Sequence, residues 1–359
     1  MGFDLSSALY TALDRYVSHW WEKRELGVHR AICRAHPEWQ PLTEEELDRI
    51  DRRDRWSYMY YKNMSGAEPL SYFVSDAVYK TRILTKVNAC NHRPNSTCID
   101  TDFSDKNYHD LFMPELRFPE TVIRRVHGQF YDPQRRHITP EEALRLLNEH
   151  ERLVFKQTVE TGHGEGVRLV EREEFPEVFL RHSRDYIVQK LLRQHETLAY
   201  FNPSSVNIVR ITSLCWHGEV YILGGILRAG APGAFCDHEN KDGKTYLVMP
   251  LAEDGTVLGP ACDVDGGNVF DDCHGIPIRG VIPRFSEMKE LIRRAHIRYP
   301  KFGLIAWDVT VDENGEIVFM EFNTKYPGIM GTQCALGPVL ARKSRDGVPL
   351  LDELLTQEP

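Results

Sequence analysis

The chain has 359 residues, 42% hydrophobic and 27% charged, with 44 Lys and Arg against 53 Asp and Glu and a formal net charge of −9. This composition supplies enough apolar material for a sizeable core and excludes wholesale disorder. The acidic balance argues against a nucleic-acid-binding surface, and no run approaches the roughly 18 uninterrupted apolar residues of a membrane span.

The first hundred residues read as helical. Leu5, Leu9, Leu13, Tyr16 and Trp20 recur at three- and four-residue spacing, and the apolar face ending in Trp20 and Trp21 offers a surface for a homodimer, a membrane or a partner. Asp4, Asp14 and Arg15 interrupt that pattern, so the segment is not a signal peptide. The 8 cysteines form no C-x-x-C pair, and the two features together suit a cytoplasmic protein. Thr43 followed by Glu44, Glu45 and Glu46 predicts a second, capped helix.

From residue 118 the character changes. TVIRRVHGQFYD reads as extended, TPEEALRLLNEH as a capped helix, LVFKQTV as a short strand, TGHGEGV as a glycine-spaced loop and YIVQKLL as a strand running into a break. Beyond residue 205, NIVRITSLCWHGEVYILGGILRAG and KTYLVMPLAEDGTVLG are β-rich, turning at His217-Gly218 and Asp254-Gly255. A helix follows near 285–299. GLIAWDVTVDENGEIVFMEFN then reads as a hairpin turning at Asn314-Gly315. The fold class is α+β.

The last hairpin carries the strongest chemical signal. Side chains alternate along a strand, so Glu321 and Asn323 share a face. With Val311 opposite Glu316, Asp308 falls opposite Phe319 on that same face, and three hard oxygen-bearing side chains converge as Mg²⁺ requires. Lys156 lies within an apolar strand, where an ammonium needs an anionic partner. Gly162, Gly164 and Gly166 follow at once and permit close backbone approach to a phosphate. Gln189-Lys190, where the next strand breaks, exposes a polar edge, and Glu196 lies seven residues after Gln189.

In this order the elements resemble the ATP-grasp superfamily, from Asp105-Lys106-Asn107 to Tyr326-Pro327-Gly328. The runs SVNIVRI, GGILRAG, DHENKDG and DGGN are most similar to its sugar-transfer-associated group and the teichuronopeptide-type relatives. The resemblance implies a helical region over 1–104, a lid subdomain over 105–192, a catalytic subdomain over 193–345 and a tail over 346–359. It implies ATP with two Mg²⁺ ions, or Mn²⁺ in their place. Lys106 and Lys156 match the phosphate lysines, and Gly162, Gly164 and Gly166 match the lid loop. Gln189 matches an adenine-contacting acid, Lys190 and Leu192 the backbone hinge, Glu196 the ribose acid, and Asp308, Glu321 and Asn323 the metal triad. Where D-alanine ligases carry an Arg two residues before the metal Asp, this chain has Ala306, so Arg210 and Arg228 become the candidates for stabilising an oxyanion. The implied activity is ligation of a small carboxylate to an amine or other nucleophile through an acyl phosphate, in cell-surface polysaccharide or secondary-metabolite synthesis. A small-molecule phosphotransferase and a non-catalytic nucleotide-binding partner are the alternatives.

Overall fold

The computed structural model describes residues 105–158, 166–237, 239, 241–263, 268–324 and 327–356, with 39–40, 42–50, 58–59, 62–63, 74, 78–88 and 103. The stretch through Trp20 and Trp21, and Gly162 to Glu165 of the glycine loop, lie outside the described residues. Helix α1 (Glu44–Arg49) starts as its sequence predicts. Thr43 Oγ1 accepts from Glu46 N at 3.2 Å and the Glu46 carboxylate accepts from Thr43 N at 2.7 Å, a reciprocal capping box. A turn over residues 105–108 leads into the short α2 (His109–Phe112).

A six-stranded antiparallel sheet follows. Its strands are β1 (Thr121–Val126), β2 (Gln129–Tyr131), β3 (His137–Ile138), β4 (Arg152–Gln157), β5 (Val167–Glu171) and β6 (Tyr186–Gln189), in the order β3-β2-β1-β6-β4-β5. Helix α3 (Pro140–Leu147), with a second capping box at Thr139, and α4 (Phe175–Leu180) cover one face. Ala143, Leu147, Phe175 and Phe179 pack there on Leu153, Phe155, Tyr186 and Val188. Every other residue of β4 points into this core, which leaves Lys156 on the other face.

After α5 (Glu196–Ala199), the chain builds a seven-stranded sheet. Strands β7 (Ile208–Trp216) and β8 (Glu219–Ala229) form a long hairpin, followed by β9 (Leu247–Pro250), β10 (Ala261–Asp263) and β11 (Val269–Phe270). A small separate hairpin of β12 (Asp272–Cys273) and β13 (Ile276–Pro277) precedes α6 (Phe285–His296). Strands β14 (Leu304–Val311) and β15 (Ile317–Asn323) complete the order β11-β10-β9-β8-β7-β14-β15. Met288, Ile292 and Ala295 of α6 bury one face against Val209, Ile211, Ile305, Trp307 and Val309. Helices α7 (Met330–Leu336) and α8 (Leu350–Thr356) end the chain.

The opposite face of this sheet is divided into three regions. Near Leu304, a π-helical turn (Tyr79–Leu84) and the helical turn Thr85–Val87 pack with α8: Ile83, Leu84, Leu350 and Leu354 meet Leu214, Trp216, Leu223 and Leu304. Asn88 fixes the junction, accepting from Leu304 N at 2.8 Å and donating to the carbonyls of Leu304 and Thr324 at 2.9 Å each. Around Asp308 the face carries charged side chains, and beyond them Ile226, Val248 and Cys262 pack with Ala335 and Leu336 of α7.

Candidate active site

The β14–β15 hairpin differs in register from the sequence expectation. Asp308 lies opposite Glu321, not Phe319, and Val311 lies opposite Ile317, not Glu316. The cause is a β-bulge: Val309 pairs with Phe319 and Asp308 with Glu321, so Met320 has no counterpart on β14. The extra residue rotates Phe319 and Phe322 into the core beside Trp307, with ring centroids 6.1 and 5.8 Å away. It sets Glu321 directly beside Asp308 on the charged face, with Asn323 one step along opposite Ala306. The expected convergence is therefore reached through a different pairing. Asn323 Nδ2 donates to Asp308 Oδ2 at 3.3 Å.

Arg210 occupies the position opposite Asp308 on β7, so arginine, aspartate and glutamate form a row across three strands. An Arg210 terminal nitrogen lies 3.2 Å from both Asp308 oxygens. Arg228, on β8, reaches Asp308 Oδ2 at 3.2 Å and pairs through Nε with Asp237 at 3.0 Å. Burial opposes the charge on Arg228, but Asp237 and Asp308 more than restore it. Burial also raises the Asp308 carboxyl above the ordinary aspartate range, against the pull of Arg210 and Arg228. Glu321 behaves in the opposite sense. Burial works against its charge, yet Lys106 and Lys156 hold it well below the usual carboxylate range.

Beside this row, between β15 and the six-stranded sheet, lies a cleft of about 250 Å³ lined by Lys106, His109, Lys156, Gln189, Phe118 and Met320, among others. Lys106 reaches across it to Glu321, 3.4 Å away. Burial pulls the Lys156 ammonium down to about 8, with Glu321 acting against the shift. Burial, reinforced by Lys106, pushes His109 down to about 3, so its ring is neutral. That ring leans on Phe322 at 4.3 Å between centroids, and its Nε2 has no hydrogen-bond partner among the described residues. Gln189 donates through Nε2 to the Pro119 carbonyl at 3.2 Å, which turns its unpartnered Oε1 into the role of acceptor.

Residues 178–346 match the profile of the sugar-transfer associated ATP-grasp family. That stretch is similar to the family and makes up just under half of the chain. None of the curated proteins matches it. Among solved structures, D-alanyl-alanine synthetase A from Vibrio cholerae is similar at 13% identity, over 72% of this chain and 65% of that one, with a TM-score of 0.44. VanG D-Ala:D-Ser ligase from Enterococcus faecalis is similar at 15% identity, over 71% and 61%, with a TM-score of 0.40. N5-carboxyaminoimidazole synthetase from Staphylococcus aureus is similar at 10% identity, over 72% and 52%, also with a TM-score of 0.40. The chain spans less than two thirds of the length of each.

Within and before the matched stretch, Lys106, Lys156 and Gln189 share the cleft, and Asp308, Glu321, Asn323, Arg210 and Arg228 share the charged face beside it. Lys190, Leu192, Glu196 and Gly166 are not on the described wall of the cleft. Lys190 pairs with Glu120, Leu192 is half-buried in the connection after β6, and Glu196 is exposed in the first turn of α5. That connection is pinned to the β14–β15 hairpin, with His195 N donating to Val311 O at 2.8 Å and Glu313 N to Arg193 O at 2.9 Å. Gly166 opens β5 at φ 75, where an added Cβ would lie 3.0 Å from Gln157 Cδ. Sequence reasoning missed His109, Asp110, Arg124, Met320 and Asp237. Only His109 and Asp110 had a readable signal, lying three and four residues after Lys106.

Proposed function

We propose that the chain is an ATP-dependent ligase, acting in the cytoplasm, that activates a small carboxylate as an acyl phosphate and passes the acyl group to an amine or other nucleophile. The observation that carries this reading is the meeting of two lysines and the Gln189 acceptor in one cleft with the Asp308, Glu321 and Asn323 face beside it. That set of hard oxygen donors fits Mg²⁺, or Mn²⁺ in its place; Asp308, Glu321 and Asn323 would hold the metal, which would supply charge neutralisation at the phosphates. Asn323, bonded to Asp308 through nitrogen, keeps its oxygen for such a role.

Lys106 and Lys156 hold the phosphates, and Gln189 Oε1 accepts from the adenine amino group. The backbone at Lys190 and Leu192 takes the rest of the adenine edge, and Glu196 the ribose. Gly162, Gly164 and Gly166 close over the phosphates and exclude water. A substrate carboxylate oxygen attacks the γ-phosphorus and ADP leaves. The acceptor nitrogen then attacks the acyl carbon and loses its proton to solvent, and phosphate departs. Arg210 and Arg228 stabilise the oxyanion formed between these events.

A screen of amino acids and amino sugars in pairs, followed by ADP release, tests the proposal. ADP and free phosphate that appear only with both partners support it. A stable phosphorylated acceptor makes the chain a phosphotransferase, and nucleotide binding without turnover makes it a non-catalytic binding partner. Glu321→Ala is expected to abolish turnover while melting as the wild type does; turnover at the wild-type rate removes Glu321 from the site.

A further inference from the structure

Helix α2 and the turn before it are tied to the six-stranded sheet through Asp110, through Asn107 and through Lys106 N, which donates to the Thr158 carbonyl just beyond β4 at 3.3 Å. Arg124 of β1, its side chain 3% exposed, donates to the Asn107 carbonyl at 2.7 Å and to Asp110 Oδ2 at 2.5 Å. Arg135, from the turn between β2 and β3, donates to the same carbonyl at 2.9 Å and to the other Asp110 oxygen. The Arg135 guanidinium also lies over the Tyr108 ring, 5.5 Å from its centroid. Its backbone sits at φ 65, a left-handed conformation that a side-chain-bearing residue keeps only where its surroundings fix it. Within the turn, Asn107 N donates to Asp105 Oδ1 at 2.9 Å and Asn107 Nδ2 to the Arg125 carbonyl at 3.2 Å. Lys106 is thus tied at its backbone to one sheet while its ammonium reaches Glu321 on the other.

We propose that Asp110, gripped by Arg124 and Arg135, is a positioning residue for Lys106. It fixes the lysine to the six-stranded sheet so that the ammonium faces the nucleotide phosphates whenever that sheet closes on the hairpin. The inference rests on the nucleotide-binding reading of the cleft. Two guanidiniums on one carboxylate and one carbonyl are more than a four-residue helix needs for docking, and burying Arg124 is costly unless its geometry is used. Asp110 also lines the cleft, so charge and geometry make opposite predictions. By charge alone, loss of an acid beside the phosphates tightens nucleotide binding.

Calorimetric titration with Mg-ADP of the full chain, Asp110→Asn, Lys106→Ala and the double variant separates the two. The expected result is an affinity about five- to tenfold weaker for Asp110→Asn, the worth of one charge-assisted grip. The double variant is expected to bind no more weakly than Lys106→Ala alone. Unchanged or tightened binding by Asp110→Asn overturns the inference, as do additive losses in the double variant. If Asp110→Asn fails to fold, Arg135→Gln, whose side chain is 29% exposed, takes its place in the same cycle, judged by whether its effect vanishes without Lys106. Wild-type protein that binds no Mg-ADP overturns the nucleotide reading and the inference together, whereas wild-type binding with an unaffected Asp110→Asn overturns the inference alone.

Discussion

At the residue scale, the legible positions are those where a charge breaks an apolar run. Lys156 within LVFKQTV, Asp308 after Trp307 and Glu321 between Met320 and Phe322 all stand out because burial of an unpaired charge is costly. Arg124 and Asp237 were not legible, because their importance arises from chain segments that meet only after folding. Arg124 in TVIRRV has the look of an outward polar position, yet it is 2% exposed. Lys156 also yields a pH prediction. A phosphate needs its ammonium form, and burial has brought that group down to about 8. Above that pH Lys156 in the free site is neutral and must take up a proton on binding, so nucleotide affinity is expected to fall as pH rises through about 8. Lys156→Arg stays charged and is expected to flatten the profile; parallel curves for the two proteins remove Lys156 from the site.

At the element scale, the strands, the turn at His217-Gly218 and both capping boxes follow from local patterns, since each depends on residues a few positions apart. The bulge at Met320 does not. It is selected by the packing of Phe319 and Phe322 against Trp307, which no local pattern records. The attachment of α6 is equally non-local. Trp307 Nε1 donates to Ser213 Oγ at 2.7 Å, Ser213 Oγ lies 2.7 Å from His296 Nδ1, and His296 Nε2 lies 2.6 Å from the Phe302 carbonyl. The pattern fits a neutral imidazole donating through Nε2 and accepting at Nδ1, and burial pushes His296 down to about 4. The unfolded chain binds a proton below about 6.5 while the fold does not, so this contribution is complete above that pH and is lost as pH falls toward 4. The loss reaches about 3 kcal/mol. Between pH 6.5 and 5, above most of the carboxylate range, the wild-type melting temperature is expected to drop with acid. His296→Gln is expected to melt lower at neutral pH but with a shallower slope, and equal slopes would assign the acid sensitivity elsewhere.

At the scale of the whole molecule, the α+β class and much of the order of elements were readable, but the way the N-terminal part joins the sheets was not. Residues 78–88 do not stand apart from the seven-stranded sheet: they share a core with α8, and Gly303 leaves little room beside them. Gly303 N donates to the Val87 carbonyl at 3.0 Å, and an added Cβ would lie 2.5 Å from Val87 Cβ and 2.8 Å from that carbonyl oxygen. Gly303→Ala is expected to lower stability by about 1–3 kcal/mol, as overpacking does. It should also speed proteolytic cleavage within 78–88; unaltered melting and cleavage would show that the contact relaxes freely. A different consequence belongs to the segment leading into β1. Strand β15 ends the seven-stranded sheet, and Phe319 N on its outer side donates to the Arg117 carbonyl at 2.8 Å. An edge strand with open hydrogen-bonding groups is a template for a neighbouring molecule's backbone. The stretch that walls one side of the cleft therefore also guards that edge, and whatever swings it away for long exposes the protein to self-association at the same strand that carries Glu321.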